Sequence, residues 1–278
     1  MRKIAIQGFE GCFHEMAAKQ YFKDDNAQLI YCDTFEQVFQ NVANNDTVAL
    51  VAIENTIAGS LLHNYELLCN SNATIIGEKK LHISHSICCL QDDSWETVHE
   101  VHSHPVALMQ CRKYLERHKQ LKAVEAADTA GAALQIAKEK LHGQSAICNA
   151  EAAKRFGLKI LEEHIEDNKH NYTRFLVLSP ESIAAELADR KTANKASLVF
   201  TLPHEKGSLA KVLSIFSYYG INLTKIQSLP IIGREWEYMF YIDLSFDNYT
   251  LYKQSIDAVK PLTSEFKKLG EYKDDATK

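Results

Sequence analysis

One stretch of the chain reads Val48-Ala49-Leu50-Val51-Ala52-Ile53-Glu54-Asn55-Thr56, an apolar run that ends abruptly in polar side chains. Six consecutive apolar residues are typical of a strand that is buried on both faces, as strands of parallel sheets are. Similar short runs occupy Lys3–Gln7 and Gln28–Cys32, whereas apolar residues recur every three or four positions in Phe35–Val42. This alternation of strand-like and helix-like segments predicts an α/β fold with a largely parallel sheet.

The alternation continues to about residue 180 and predicts two α/β lobes. Its later segments are a long strand at Leu81–Leu90, a helix that begins at Pro105, and helices at Asp128–Lys140 and Ala150–Phe156. We expect lobe 1 to hold about residues 1–78 and 166–180, and lobe 2 about residues 79–165. Because the chain then crosses twice between the lobes, a ligand cleft is expected between them.

The C-terminal part has a different pattern. Residues 181–195 are polar and helix-like, which is typical of a linker. After it, strand and helix patterns follow in the order βαββαβ, at Ser197–Leu202, Ser208–Tyr219, Asn222–Ser228, Glu235–Phe246, Leu251–Phe266 and Gly270–Lys273. This order predicts a second, ferredoxin-like domain over residues 196–275.

The composition narrows the class of protein. The 278 residues are 46% hydrophobic and 24% charged, which is ordinary for a folded globular protein. The formal net charge of −5 argues against a nucleic-acid partner, and no apolar window is long enough to span a membrane or to form a signal peptide after Met1.

The seven cysteines include no Cys-x-x-Cys pair and lie mostly in apolar runs. They indicate buried, reduced thiols and therefore a soluble, cytoplasmic protein.

Four polar clusters lie next to predicted strands: Gly8–His14, Glu54–Ser60, Ser103–Gln110 and Asn171–Arg174. The first three follow the carboxyl ends of strands and precede helices, where ligands bind in open α/β sheets and where free N–H groups favour anions. Together the clusters predict a cleft for a small carboxylated ligand. For any single cluster, the alternative is that its polar residues merely cap a helix.

Other chemistry-bearing residues give weaker patterns. His99, His102 and His104 are of the metal-ligand type, but no Cys or carboxylate is fixed beside them, and His82 and His85 would point to opposite faces of a strand. A phosphate loop is not predicted at residues 8–11, because no Gly-Lys-Ser/Thr follows. Cys89 and Cys111 have no identifiable base. We therefore predict no metal site and no cysteine nucleophile.

Taken together, the polar blocks resemble the prephenate dehydratase family. The family's opening block appears as Gly8-Phe9-Glu10-Gly11-Cys12-Phe13-His14, and its Pro-Ile-Glu-Asn-Ser block as Ala52–Ser60. Its Ser-His-Pro-Gln-Ala-Leu block appears as Ser103–Cys111, followed by Asp128-Thr129-Ala130 and Ala150–Leu158. Its Thr-Arg-Phe signature is intact as Thr173-Arg174-Phe175. The departures are Phe9, His14 and Val106, where the family has Pro, Ser and Gln.

The resemblance implies an enzyme, a carbon–oxygen lyase of phenylalanine biosynthesis. It would convert prephenate to phenylpyruvate, carbon dioxide and water without a cofactor, on a two-lobed catalytic domain over residues 1–180 that resembles type II periplasmic binding proteins. Thr173 would assist departure of hydroxide, and Arg174 would bind a substrate carboxylate or hold the Thr173 loop. The resemblance places catalytic residues at Thr173, Arg174, Asn55 and Glu54, and substrate-binding residues at Ser103, Gln110, Phe175 and Thr56.

The C-terminal unit resembles the ACT regulatory domain that this family carries. The family's Gly-Ala-Leu-Val loop is Gly207-Ser208-Leu209-Ala210 here, and its Glu-Ser-Arg-Pro segment is Gln227-Ser228-Leu229-Pro230. The resemblance implies L-phenylalanine as an effector, and a homodimer or homotetramer. The second segment has lost one acidic and one basic residue, so retention of phenylalanine binding is an open expectation.

Two alternatives remain at this point. Arogenate, which carries an amine where prephenate has a ketone, would undergo the same chemistry. A non-catalytic cytosolic sensor of small acids or amino acids would also fit two lobes and an ACT unit, although it would not need the Thr173 hydroxyl. A dehydrogenase is a poor fit because no Gly-x-Gly-x-x-Gly motif is present.

Overall fold

The computed structural model describes residues 2–23, 27–44, 47–188, 191–231 and 233–275. Residues 189 and 190 of the predicted linker 181–195 lie outside the described residues. The remainder of that linker contains a short helix, α8, at Glu181–Leu187.

A first sheet is formed by β1 to β5 and β11, at Lys3–Gln7, Gln28–Cys32, Thr47–Asn55, Gly59–Ser60, Ala73–His82 and Tyr172–Pro180. Its order is β2-β1-β3-β11-β5, with the two-residue β4 folded back antiparallel on the end of β3. The strand β3 is the apolar run quoted above, and it is buried along almost its whole length. Burial on both faces explains why this strand lacks the alternation of a half-exposed strand.

Three helices accompany this sheet: α1 at Phe13–Phe22, α2 at Phe35–Asn44 and α3 at Leu62–Asn70. Helix α3 was not predicted from the sequence. Its buried residues Tyr65, Leu68 and Cys69 are three and four positions apart, so a helical period was present in the sequence although the segment is short.

A second sheet is formed by β6 to β10, at Ser86–Cys89, Glu100–Ser103, Lys122–Glu125, Gln144–Cys148 and Lys159–Glu163. Its order is β10-β6-β9-β7-β8. Its helices are α4 to α7, at Pro105–Gln110, Arg112–Arg117, Thr129–Glu139 and Ala150–Arg155. The chain therefore leaves the first sheet after β5 and returns to it with β11.

Two expectations for this region were wrong. The run Leu81–Leu90 is not one strand, because β5 ends at His82 and β6 begins at Ser86. The second sheet is not largely parallel either, since β6 and β10 run antiparallel to their neighbours. The reason lies at the crossing segments: the Ile165 N–H donates to the His85 carbonyl at 3.0 Å, which sets the outgoing and returning chains side by side in opposite directions.

A third, antiparallel sheet is formed by β12 to β15, at Lys195–Thr201, Asn222–Pro230, Tyr238–Ser245 and Glu265–Tyr272. Its order is β13-β14-β12-β15, and α9 at Ser208–Tyr218 and α10 at Tyr249–Val259 complete the βαββαβ order. One apolar cluster joins this sheet to its helices and includes Leu198, Phe216 and Ile256.

The predicted helix Leu251–Phe266 was too long. It ends at Val259, a single 3-10 turn follows at Lys260–Leu262, and β15 has begun by Glu265. Pro261 explains the end of the helix, because proline has no N–H to donate and clashes with the preceding turn.

The chain divides into two compact units. The first contains Met1–Val38, Leu50–Leu61 and Lys79–Phe175, and the second contains Phe39–Ala49, Leu62–Glu78 and Leu176–Lys278. All seven cysteines are buried and free of disulfides. Among the described residues, no helix combines the length and the apolar character needed to cross a membrane.

Candidate active site

A cavity of about 250 Å³ lies within the first unit, at the end of β3 and the beginning of β11. Asn55, Thr173 and Phe175 contribute from these strands, and Gln110 contributes from α4. The further lining residues are Gln7, Cys12, Phe13, His14, Phe35, Ala52, Ala58, Leu61, Ile83, His85, His104, Val106, Ala107, Asp128 and Thr129. Members of all four predicted polar clusters thus line one cavity. Three of these clusters follow the carboxyl ends of strands, where ligands bind in open α/β sheets.

Asn55 organises the polar side of the cavity. The backbone N–H groups of Ile57 and Ala58 donate to Asn55 Oδ1 at 2.9 and 2.8 Å, which identifies the oxygen of this amide. Asn55 Nδ2 therefore donates, to Asn171 Oδ1 at 2.8 Å and to Thr173 Oγ1 at 3.0 Å. Because Thr173 Oγ1 accepts this bond, its own hydroxyl proton is available to a ligand in the cavity.

Gln110 joins α4 to this arrangement. Its Nε2 donates to Asn55 Oδ1 at 3.3 Å, and its Oε1 accepts from Asn171 Nδ2 at 3.0 Å and lies 2.9 Å from His85 Nε2. Four buried polar side chains from separate stretches of the chain thus satisfy one another around Thr173. A network of this kind holds side chains in one geometry.

Aromatic rings form the apolar side. The ring of His14 lies edge-on to Phe175 with centroids 5.0 Å apart, and it also contacts Phe35. The Ala52 N–H donates to His14 Nε2 at 3.3 Å. Burial lowers the pKa of His14 to about 3, so this imidazole is neutral at physiological pH. The cavity therefore presents a hydroxyl and amides on one side and uncharged rings on the other.

Arg174 and Glu54 form an ion pair outside the cavity lining. Arg174 is buried, and its Nη1 donates to Glu54 Oε1 at 3.2 Å. The two residues come from the adjacent strands β3 and β11, next to Asn55 and Thr173 respectively. The pair is placed to hold the ends of these strands together rather than to touch a ligand.

Ser103 and Thr56 also lie outside the lining described above. Ser103 is fully buried and donates to the Ile147 carbonyl at 2.6 Å, which ties β7 to β9. Thr56 Oγ1 donates to the His170 carbonyl at 3.1 Å and accepts from the Tyr172 N–H at 2.9 Å. Of the eight residues expected in the site, Asn55, Thr173, Gln110 and Phe175 line the cavity, and the other four lie outside its lining.

The glycine-rich loop before α1 is held by a buried carboxylate. Glu15 accepts from the Gly11 N–H at 2.6 Å and from Arg155 at 2.8 Å, and these partners with Lys19 lower the pKa of Glu15 to about 2 despite its burial. Gly11 has a φ of +80°, and a Cβ there would lie 3.1 Å from Ala152. The loop carries Cys12, whose pKa burial raises to about 12, so this thiol stays protonated.

Asp128 is the acidic member of the cavity lining, and the lining residues described above include no lysine or arginine. Its Oδ1 accepts from the Gly131 N–H at 2.8 Å and caps α6. Burial raises the pKa of this carboxyl group, against the lowering effect of the capping N–H groups.

The residues expected to bind an effector lie in the second unit. Gly207, with a φ of +82°, precedes α9, and Ser208 and Leu209 line a small cavity of about 130 Å³ together with Trp236. Ala210 follows inside α9. Gln227 and Ser228 lie on β13 opposite Tyr241 and Phe240, outside that lining.

Two further features of the described residues bear on other chemistries. No group of three or more His, Cys, Asp or Glu side chains among them is placed to hold a metal ion. A larger cavity of about 580 Å³ lies over Lys113, Arg117 and Glu162, but its walls are mostly charged side chains of both signs. It contains none of the residues of the Asn55 network.

Sequence reasoning missed His85 and gave Asn171 no separate role. His85 was set aside with His82 as an improbable metal pair on a continuous strand. The available signal was the lobe boundary predicted at about residue 79, because a residue close to such a crossing can reach both sheets.

Comparison with known proteins identifies the family. A family model described as prephenate dehydratase matches residues 4–183. The prephenate dehydratase of Methanocaldococcus jannaschii is 35% identical to this chain over 268 residues, which cover 95% of each sequence. The chain belongs to the prephenate dehydratase family. The predicted family is therefore confirmed, and with it the class of lyases.

Other members differ in their described activity. The chloroplastic arogenate dehydratase/prephenate dehydratase 6 of Arabidopsis thaliana is 38% identical over 99% of this chain and 70% of its own length. A prephenate dehydratase from Arthrobacter aurescens, solved with L-Phe, has a TM-score of 0.87 and 25% identity over 98% of this chain and 89% of that one. A structure described as GqqA, a novel type of quorum quenching acylases, has a TM-score of 0.87 and 27% identity over 99% of this chain and 98% of that one.

Proposed function

We propose that this protein is a prephenate dehydratase that forms phenylpyruvate in phenylalanine biosynthesis, with Thr173 as the hydrogen-bond donor to the leaving group. The observation that carries the proposal is the Thr173 hydroxyl, which lines the cavity while its oxygen accepts from Asn55. Family membership supports the reaction, and the geometry of the cavity supports the proposed role of each residue.

The reaction needs help at one bond. The ring carbon–oxygen bond breaks and hydroxide departs, while the carbon–carbon bond to the ring carboxylate breaks and its electron pair completes the aromatic ring. Prephenate dianion thus gives phenylpyruvate anion, carbon dioxide and hydroxide, which becomes water on taking a proton. Because hydroxide is a poor leaving group, a donor aimed at its oxygen lowers the barrier, and such assistance typically gives about 10²–10⁴-fold.

Thr173 is suited to this role through its partner. An isolated threonine hydroxyl is a weak acid, but the bond from Asn55 Nδ2 polarises the oxygen and directs its proton away from the amide. The hydroxyl then stabilises negative charge that appears only as the carbon–oxygen bond breaks, which is the condition for acceleration.

The two sides of the cavity suit the two ends of the substrate. We assign the pyruvyl side chain to the polar side, where Gln110 and Thr129 offer hydrogen bonds. We assign the carboxylate that is lost to the side of Phe13, Phe35 and Phe175, because an apolar surface disfavours the ionised group and favours neutral carbon dioxide.

Arg174 and Glu54 are assigned a supporting role. Their ion pair links the residue after Thr173 to the residue before Asn55, so it fixes the distance between donor and acceptor. Ser103 and Thr56 act in the same way on β7 and on the loop after β3.

The experiment that tests the proposal is turnover of prephenate by the purified full chain. Phenylpyruvate and carbon dioxide are expected in equal amounts, with no added metal or cofactor. A folded protein that forms neither product would overturn the proposed function and would favour the sensor alternative, in which prephenate binds but is not converted.

Arogenate is a second candidate substrate, favoured by Asp128. A carboxylate in a lining without lysine or arginine is placed to pair with the ammonium group that arogenate has and prephenate lacks. The ammonium group would also favour the ionised form of the Asp128 carboxyl group, which burial disfavours. Asp128→Asn keeps the oxygen that caps α6, so it is expected to lower the ratio of kcat/KM for arogenate to that for prephenate about tenfold. An unchanged ratio would remove Asp128 from substrate selection.

An acylase activity is not favoured by the cavity thiol. Cys12 lines the cavity, but its raised pKa keeps it in the weakly nucleophilic thiol form. Its Sγ donates to the Gln7 carbonyl at 3.6 Å. Incubation with an acyl-amide substrate, under conditions in which prephenate is converted, separates the two activities.

We further propose that the domains divide at about residues 180 and 196, and that the C-terminal unit is an ACT domain that binds L-phenylalanine. Its βαββαβ order and the L-Phe complex of the Arthrobacter aurescens relative support this assignment. Gly207, Ser208, Leu209, Ala210, Gln227 and Ser228 are the proposed contact residues. We also propose a cytoplasmic homodimer or homotetramer, supported by the buried free cysteines and by the ACT assignment.

A further inference from the structure

We propose that His85 is a positioning residue that begins a one-directional chain of hydrogen-bond donors ending at the Thr173 hydroxyl. The inference rests on the proposed function, because it assigns His85 a part in the same reaction. His85 is linked to the Thr173 hydroxyl by hydrogen bonds through Gln110 and Asn55.

His85 lies at the crossing from β5 to β6 and is 2% exposed. Its Nε2 is 2.9 Å from Gln110 Oε1, and its ring lies edge-on to Phe13 with centroids 5.7 Å apart. Its backbone N–H donates to the buried carboxylate of Glu166 at 2.8 Å, which fixes the residue from the returning chain. Contacts of both the backbone and the ring therefore hold the imidazole in place.

The direction of the chain follows from two backbone N–H groups, which can only donate. The N–H groups of Ile57 and Ala58 identify Asn55 Oδ1 as an acceptor, so the Gln110 atom that approaches it must be Nε2. Gln110 Oε1 is then the acceptor that faces His85, and His85 Nε2 must carry the proton.

The second ring nitrogen agrees with this tautomer. His85 Nδ1 is buried and has no hydrogen-bond partner among the described residues. Burial lowers the pKa of His85, so the neutral ring with its single proton on Nε2 is the form present at physiological pH. The imidazole therefore acts as a fixed donor.

Each member of the chain donates in the same sense. His85 Nε2 donates to Gln110 Oε1, Gln110 Nε2 donates to Asn55 Oδ1, and Asn55 Nδ2 donates to Thr173 Oγ1. In a buried chain each bond polarises the next, so removal of the first donor weakens the last. It also leaves Gln110 free to turn its amide, which would present an N–H to Asn171 Nδ2 and an oxygen to Asn55 Oδ1.

The test compares His85→Gln, His85→Asn and His85→Leu in steady-state turnover of prephenate. A glutamine amide reaches the position of Nε2 and keeps the donor, whereas an asparagine amide of the same chemistry is too short, and leucine has no donor. We expect His85→Gln to keep kcat within about threefold of the wild type. We expect kcat to fall about tenfold or more in His85→Asn and His85→Leu, with KM within about twofold.

Thermal unfolding of each variant accompanies the kinetics, and the Gln–Asn pair keeps the test decisive even if His85→Leu does not fold. Equal losses of kcat in the glutamine and asparagine variants would show a merely structural role and overturn the proposal, as would an unchanged kcat in the asparagine variant. A wild-type protein that does not convert prephenate would instead overturn the proposed function, and with it this inference. A loss confined to the asparagine and leucine variants would support it.

Discussion

Asn55 Nδ2 lies 3.0 Å from Thr173 Oγ1, although the two residues are 118 positions apart in the sequence. The backbone N–H groups of Ile57 and Ala58 bind Asn55 Oδ1 and so orient the amide, and its Nδ2 therefore faces Thr173. This contact is one of those that join the end of β3 to the start of β11, and it sets the direction of the Thr173 hydroxyl proton.

Asn55→Asp tests that contact. The variant keeps an oxygen for the Ile57 and Ala58 N–H groups but replaces the donor with a second oxygen that faces Thr173 Oγ1 and Asn171 Oδ1. We expect kcat for prephenate to fall about 100-fold, because an oxyanion-type donor arrangement typically contributes about 10²–10³. Steady-state kinetics give the result, and near-ultraviolet circular dichroism checks that the variant is folded. A kcat within about threefold of the wild type would show that Asn55 does not orient Thr173.

Much of the fold could be predicted from short-range patterns. The buried run Val48–Ile53 predicted β3, and the βαββαβ order of the C-terminal unit follows from its alternating patterns. The break at residues 83–85 was missed because apolar residues stand on both sides of it, at Leu81, Ile83 and Ile87–Leu90, and hydrophobicity alone does not reveal a change of direction. The end of α10 was missed although Pro261 marked it.

The site was predictable in its parts and not in its connections. Strand ends located the polar clusters, and the family resemblance selected Asn55, Gln110 and Thr173 among them. No local pattern shows that Gln110 Oε1 accepts from both Asn171 and His85, because that contact depends on the packing of two sheets. For the same reason the sequence did not decide between a substrate carboxylate and the Thr173 loop as the partner of Arg174, which the structure pairs with Glu54.

His14 makes stability depend on pH. Its pKa is about 3 in the folded protein and about 6.5 when unfolded, so below pH 6.5 the unfolded chain takes up a proton that the folded chain does not. Stability from this group is therefore fully present above pH 6.5 and decreases as the pH falls towards 3. At pH 5 the loss is about 2 kcal/mol.

His14→Gln isolates this effect, because a glutamine oxygen can accept from the Ala52 N–H without titrating. We expect the free energy of unfolding of the variant to depend less on pH between 5 and 7.5. The difference in slope is expected to correspond to at most one proton taken up on unfolding. Urea unfolding at several pH values measures it. Parallel curves for the two proteins would mean that His14 is not held in its neutral form.

Lys195 and Glu78 form a buried ion pair in the second unit, with Lys195 Nζ 3.0 and 2.9 Å from the two carboxylate oxygens. Lys195→Met leaves the buried carboxylate without this partner, and the expected cost is about 3–5 kcal/mol of stability. The double variant Lys195→Met/Glu78→Leu is expected to recover most of the loss, since two apolar side chains need no partner. Unfolding midpoints that fall further in the double variant would contradict this account.

Gly207 tests the effector site. A side chain at its φ of +82° is strained, and valine there would displace the loop before α9 that carries Ser208 and Leu209. We expect isothermal titration calorimetry to detect L-phenylalanine binding to the wild type and a Kd at least about fivefold weaker for Gly207→Val, which corresponds to about 1 kcal/mol. Equal Kd values would place the effector elsewhere, and absence of binding to the wild type would remove phenylalanine as its ligand.

The role of Thr173 is tested by comparing phenylpyruvate formation from prephenate by the wild type and by Thr173→Val, which keeps the shape of the side chain and removes the hydroxyl. We expect turnover by the wild type and a kcat lower by about 10²–10⁴ in the variant, with a folded protein in both cases. Equal rates in the two proteins would contradict the assigned role of Thr173.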